Sequence, residues 1–252
     1  MEPRFITNEP VLVIGDRLII ADLHIGIEYE YWKSGVKIPS FLEKAIPRLV
    51  KLLKANKAKK LMILGDVKQA VPGISWQELK ELPELFRRIG KIAEIEIVPG
   101  NHDGQIEKQV LKGVRVYPRS GVLLGDVYFT HGHTWPDESF VKAKHLVMGH
   151  VHPGVEFKSE LGYRWVEEVW MRAELDPEKI KEKYKTSGHL PKVIIMPKFN
   201  HYAGTVAMNK SEDEINRNLS ESPGPIMKII KFPKAKTYLL DGTYLGEIRK
   251  LI

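Results

Sequence analysis

The sequence predicts an α/β fold in which two β-sheets pack as a sandwich flanked by helices. Three observations predict it. Strand-like apolar runs alternate with helical stretches through the first half of the chain, as in βαβ units. Short runs joined by tight turns follow from about residue 114 and predict a second sheet. Clusters rich in Asp, His and Asn fall at the ends of the apolar runs, the edge at which open α/β sheets place their sites.

The elements are justified in chain order. Residues 11–14 and 17–20 bracket the turn Gly15-Asp16 and read as a hairpin that runs into Ala21-Asp22-Leu23-His24. Residues 40–55 read as a helix opened by a Ser40/Glu43 capping pair, with Pro47 expected to kink or split it. Lys60–Leu64 is a short strand that ends at Gly65-Asp66. Residues 75–88 read as a second helix, with a Ser75/Glu78 capping pair and a second proline, Pro83. Residues 92–98 form a strand leading to Pro99-Gly100-Asn101-His102-Asp103. Residues 114–117, 121–124 and Val127–Thr130 read as short strands, the last ending at His131-Gly132-His133. His145–Met148 ends at Gly149-His150-Val151-His152. Further on, a strand is expected over 163–171 and a charged helix over 176–185, started by Asp176-Pro177. An apolar run follows at 193–196, then a polar loop at 211–222 and a terminal hairpin around Asp241-Gly242.

Composition narrows the function. The chain has 252 residues and is 43% hydrophobic, enough for a large core. One domain over 1–252 is expected, with a site-bearing core at about 10–155 and a C-terminal segment at about 156–252 that shapes the substrate site. No apolar run is long enough to cross a bilayer and the N-terminus has no secretory pattern, so a cytoplasmic protein without membrane partners is expected. There is no cysteine, which excludes disulfides, thiolate nucleophiles and Cys-based metal sites. Absence of Cys with many Lys and Glu also fits a thermophile profile. The net charge of +7 favours an anionic partner, a phosphate ester or a nucleic acid, although a Lys-rich solvated surface explains it equally well.

The chemistry lies in the clusters. Asp22 and His24 are two apart, as are His150 and His152, and in an extended segment such pairs point the same way. Together with Asp66, Asn101 and His131 they could aim donors into one cleft. Oxygen and nitrogen donors of this kind suit Mn, Fe or Zn better than a thiophilic metal. Single histidines after strands are usually packed or solvated, and Gly-Asp pairs are usually turns. It is the joint occurrence that points to a site.

As a set, Asp22-x-His24, Gly65-Asp66, Gly100-Asn101-His102-Asp103, His131-Gly132-His133 and Gly149-His150-x-His152 resemble the calcineurin-like metallophosphoesterase superfamily. The run Ala-Asp-Leu-His-Ile-Gly-Ile-Glu from Ala21, with Pro197-Lys198-Phe199-Asn200 and Asp241-Gly242-Thr243-Tyr244-Leu245-Gly246, resembles an archaeal branch related to the DNA-repair exonuclease SbcD. The resemblance implies a four-layer α/β/β/α sandwich and two divalent metal ions, Mn first, with Fe, Zn, Ni or Co as alternatives. It implies one metal held by Asp22, His24, Asp66 and His152 and another by Asp66, Asn101, His131 and His150. It further implies hydrolysis of phosphate esters, phosphodiesters of nucleotides or DNA above monoesters, by a metal-bridging hydroxide. His102 would be the general acid, and Asp103 would orient its ring. His133 holds the position of a group that faces substrate or supports a ligand, and a plain packing role is as good a reading of it. The nuclease relatives carry His three residues after the bridging Asp; here that residue is Gln69, which can hydrogen-bond a phosphate but cannot act as an acid. Lys68 is either a phosphate contact or a solvated lysine.

Two other readings compete: a scaffold that keeps the fold without catalysis, and a nucleic-acid-binding subunit that uses basicity alone. The filled motif set argues against the first, and the second leaves the clusters unexplained. Tyr163, Trp165, Trp170, Phe199 and Tyr202, with Arg164, Arg172 and Lys198, mix aromatic and basic character; they form either a base-stacking surface or an ordinary amphipathic sheet. The oligomeric state is not encoded in any pattern here.

Overall fold

The computed structural model describes residues 2–186, 188–210 and 224–251. The expected polar loop at 211–222 lies outside the described residues.

Two sheets carry the fold. In the first, β1 (Arg4–Phe5), β2 (Leu12–Ile14) and β3 (Arg17–Ala21) pair antiparallel, and β4 (Lys60–Leu64), β5 (Glu94–Val98) and β6 (Arg115–Val116) continue parallel from β3. The second sheet runs through β7 (Val122–Leu124), β8 (Val127–Thr130) and β9 (His145–Met148), then to β12 (Lys192–Ile195) and β11 (Arg164–Glu174). Its far side is completed by β10 (Pro153–Lys158) and β13 (Val206–Ala207), and by the hairpin of β14 (Lys236–Leu239) and β15 (Tyr244–Glu247). β8, β9 and β12 are mutually parallel, so this sheet also presents a row of strand C-termini along one edge.

Side-chain alternation builds the layers. Leu12, Ile14, Ile19, Ala21, Met62 and Leu64 face Val127, Phe129, Val147, Trp170 and Ile194 between the sheets. The alternate residues Val11, Val13, Leu18, Ile20, Leu61 and Ile63 face outward, onto α2 (Phe41–Ala55) and α3 (Trp76–Ile89). The other face of the second sheet packs on α4 (Pro177–Tyr184) and α5 (Pro225–Ile229). Strands covered on both faces read as continuous apolar runs, which is why they were legible. The result is the expected α/β/β/α order.

Several local expectations change. Both helices run through their prolines without a break. Ser40 makes no cap bond; its hydroxyl donates instead to Glu81, 3.3 Å away. Ser75 and Glu78 do form the reciprocal capping box. Glu78 has a second task, because its Oε1 also accepts from the amides of Gln69 and Ala70 at 2.7 and 2.6 Å. This fully buried carboxylate ties the start of α3 to the loop that leaves β4. Glu78→Ala is expected to strip three amides of their acceptor and lower stability by about 3 kcal/mol. The check is a urea midpoint, with Glu78→Gln expected to fall between the two.

Candidate metal centre

The five motif loops leave β3, β4, β5, β8 and β9 at one edge of the sandwich. The first sheet supplies Asp22, His24, Asp66 and Asn101, and the second supplies His131, His150 and His152. The structure brings these residues together. Asp22, His24 and His152 offer ligand atoms within 4.8 Å of one another, as do Asp66, His131 and His150, and also His24, Asp66 and His102. Asp66 Oδ2 lies 3.7 Å from His24 Nε2 and 3.4 Å from His131 Nε2, so it faces both halves of the cluster. Asn101 Oδ1 is 3.1 Å from His131 Nε2.

The i, i+2 pairs converge by a different route from the one expected. They lie in the loops, not in extended strand. Among the described residues nine non-glycine residues have positive φ, and five of them are Asp22 (58°), His24 (43°), Asp66 (48°), His150 (75°) and His152 (43°). A left-handed turn costs an ordinary residue about 1–2 kcal/mol. Concentration of that strain at one place is a mark of a functional site.

Backbone carbonyls orient the rings. His131 Nδ1 lies 2.9 Å from the Leu64 carbonyl oxygen, His152 Nδ1 2.9 Å from that of Gly204, and His102 Nδ1 2.6 Å from that of Gln69. A carbonyl only accepts, so each Nδ1 carries a proton, and each ring directs its Nε2, bare whenever the ring is neutral, toward the centre. His150 uses the other nitrogen, with Nδ1 3.2 Å from His131 Nε2. Asn200 braces the first loop from the C-terminal segment: its Nδ2 donates to the Leu23 carbonyl at 2.8 Å.

Close backbone approach explains the glycines in the motifs. A Cβ on Gly100 would fall 2.1 Å from Asp66 Oδ1, and one on Gly149 2.7 Å from Asp22 Oδ2.

The donor set fits divalent cations. Asp22 and Asp66 are buried, at 0% and 3% exposure, and their ion partners are imidazoles. Burial opposes ionisation of both carboxylates, yet the surrounding histidines hold them below the ordinary range. Burial likewise opposes charge on His131, but Asp66 and Asp22 outweigh it and raise its pKa to about 9. Burial takes His24 the other way, down to about 4. A cluster with two buried carboxylates that raise the pKa of His131 and His152 is poised to exchange protons for metal.

Four further residues named in the sequence take their places around this cluster. Asp103 does not touch the His102 ring. Its Oδ1 accepts from the amides of Val67 and Lys68 at 2.9 and 3.2 Å, and its Oδ2 from that of Gly100 at 2.8 Å. It therefore ties the Asp66 loop to the Asn101–His102 loop, and burial near Asp66 raises its pKa to about 6. Lys68 is neither solvated nor open to substrate: it is 1% exposed and its ammonium donates to the Ala70 carbonyl. Gln69 acts on the His102 ring through its backbone carbonyl. His133 packs beside His131, with ring centroids 5.2 Å apart, and burial together with His131 and His150 lowers its pKa to about 3.

Sequence reasoning missed Arg119. Its guanidinium donates to the carbonyls of Gly100 and Asp103 at 3.0 and 2.9 Å, bracketing Asn101 and His102. No motif marks it. The mixed aromatic and basic group does not form one surface. Trp170 and Phe199 are buried, Lys198 pairs with Glu168, and Arg172 lies over Phe5 and Tyr238.

A four-layer sandwich with carboxylates and imidazoles gathered at the joint edge of its sheets defines a class of metal-dependent hydrolases. The chain belongs to the calcineurin-like phosphoesterase family, whose model matches residues 17–195. The family uses divalent metals. Among solved structures, the nuclease MPE of Pseudomonas putida shares the fold at 18% identity and a TM-score of 0.54, over 97% of this chain and 99% of that one. YfcE, a phosphoesterase from E. coli, is 22% identical with a TM-score of 0.37, over 57% of this chain and 73% of that one. No curated protein matches the sequence. No helix among the described residues is long and apolar enough to cross a membrane.

Two outcomes are expected. Gly100→Ala should weaken Mn²⁺ binding at least about tenfold, read by calorimetry, because the new methyl displaces Asp66. Metal binding near pH 7 should release a proton from His131, so apparent affinity should rise with pH until about 9. Calorimetry in buffers of different ionisation enthalpy measures that proton, and proton uptake on binding would contradict the assignment.

Proposed function

We propose that this enzyme hydrolyses phosphodiesters, of nucleotides or nucleic acid, with His102 as the general acid. The observation that carries the reading is the His102 imidazole, which stands against the His24–Asp66 side of the cluster and lies outside both proposed ligand sets. Asp22, His24, Asp66 and His152 would hold one cation, and Asp66, Asn101, His131 and His150 the other. Cations held there, manganese first among Mn, Fe, Zn, Ni and Co, supply Lewis acidity at the phosphate and lower the pKa of water.

The chain's own residues do the rest. His102 stands with its ring edge-on to His24, centroids 5.0 Å apart. Its Nδ1 is held by the Gln69 carbonyl and its amide donates to Asp66 Oδ1 at 3.0 Å, so ring and backbone are both fixed. Protonated His102 gives its Nε2 proton to the leaving oxygen. Gln69 cannot share that task, which leaves a single acid on this side of the centre. The net charge of +7 favours approach of an anionic ester. The filled donor set disfavours a scaffold without catalysis, and the segment after residue 155 supports the centre through Asn200 and Gly204.

The test is hydrolysis of bis-p-nitrophenyl phosphate with and without Mn²⁺, beside single- and double-stranded DNA, cyclic nucleotides and phosphomonoesters. Asp66→Ala is expected to lose metal and activity together. His102→Ala should keep metal and lose about 10²–10⁴ in kcat. Absence of turnover with every one of the five metals would remove the reading.

A further inference from the structure

Three of the chain's five tryptophans sit on segments that leave the candidate ligands, and all three are exposed: Trp32 at 63%, Trp76 at 74% and Trp135 at 38%. Trp32 lies on α1 (Ile27–Lys33), which begins three residues after His24. Trp76 opens α3, whose Glu78 grips the Gln69–Ala70 amides and whose Gln77 donates to Glu28 of α1 at 2.9 Å. Trp135 follows His133 by two residues; between them Thr134 donates to the Arg119 carbonyl at 2.9 Å. The first two rings belong to the helical layer outside the first sheet. The third meets Tyr184, at the end of α4 outside the second sheet, with centroids 6.4 Å apart. Exposed rings therefore stand on both outer layers, each on a segment anchored to the metal edge.

Each station also carries a lysine. Lys80 Nζ is 6.0 Å from the Trp76 ring and Lys183 Nζ 4.3 Å from the Trp135 ring. Lys33 Nζ is 5.2 Å from Tyr29, which stacks on Trp32 at 5.7 Å and 20°; this lysine also pairs with Glu30. A large aromatic ring open to solvent leaves a π-face available for stacking. Rings that take bases, beside ammonium groups that take backbone phosphates, are how proteins hold unpaired strands. The ladder of Phe157, Trp165 and Tyr163 is different: Trp165 is shared between two stacked rings at 5.5 and 6.0 Å, whereas Trp32 stacks on Tyr29 alone.

We propose that the Trp32, Trp76 and Trp135 stations bind unstacked bases of single-stranded nucleic acid on either side of the phosphodiester being cleaved. This rests on the phosphodiesterase reading and names its substrate class. A duplex keeps its bases stacked inside and offers the stations only its backbone.

The probe is a fluorescein-labelled oligo-dT of about twelve nucleotides, with an abasic strand of equal length and charge beside it. Binding is read by anisotropy on Mn²⁺-loaded protein carrying His102→Ala. Oligo-dT is expected to bind more tightly than the abasic strand. Trp76→Ala and Trp135→Ala should each weaken oligo-dT about fivefold or more while leaving the abasic strand unchanged. Trp→Phe at the same positions should retain most of the affinity. In the wild-type background the same alanine variants should leave kcat/KM for bis-p-nitrophenyl phosphate unaltered. Equal affinity for both strands, or equal loss on both in the variants, would overturn the proposal. Failure of the wild type to hydrolyse the small diester would instead strike the phosphodiesterase reading, and the anisotropy comparison would still decide the stations.

Discussion

Two carboxylates taken out of water govern this molecule. Asp22 and Asp66 are buried at the meeting edge of two sheets, and their ion-pair partners are imidazoles, not lysines or arginines. A buried negative charge is expensive unless cations or hydrogen bonds answer it. In the metal-free protein the answer is partial, a proton held on His131 and the amide of His150 directed at Asp22. Divalent cations would complete it. The site's occupancy and the fold's electrostatics are therefore one problem.

The surrounding backbone is shaped by that requirement. Five left-handed residues turn their side chains inward, where a continued strand would have sent every second one away. Glycines at 100 and 149 let neighbouring loops approach the carboxylates more closely than any side chain would permit. Carbonyls of Leu64, Gln69 and Gly204 then select the ring nitrogen that each histidine presents. These devices cost local stability, and the two-sided burial of β3, β4, β8 and β9 supplies the rigidity that sustains them.

Much of this was legible in the chain. Parallel strands buried on both faces announce themselves as apolar runs, and the polar clusters at their ends located the edge. The side chains that gather at this edge were named from the sequence, because residue type and order carry that information. Direction was not legible. Asp103 follows His102 in sequence and invited a role on its ring, yet it faces backbone amides; a sequence states neighbours, not aim. Arg119 and the Gln69 carbonyl were invisible for a related reason. Backbone carbonyls have no residue-type signature, and one arginine among 39 basic residues has no spacing to mark it. Ser40 failed as a cap because a distant glutamate, Glu81, competed for its hydroxyl.

The acids divide by what they face, and that division explains the architecture around the leaving group. Asp22 and Asp66 face imidazoles as well as single amides and have oxygens turned toward the proposed metal positions. Glu78 and Asp103 face amides and do not: one fixes α3 to the loop after Asp66, the other joins that same loop to Asn101 and His102. The residue proposed to move a proton is thus suspended between two buried carboxylates that touch neither metal ligands' side chains nor its own ring. Arg119 closes the frame from the opposite side through two carbonyls. Such a frame lets the ring stay neutral or charged as the reaction requires, because the groups that hold its position bond to backbone and do not depend on its protonation. A carboxylate placed on the ring itself would have tied position and charge together; a carbonyl acceptor at Nδ1 separates them.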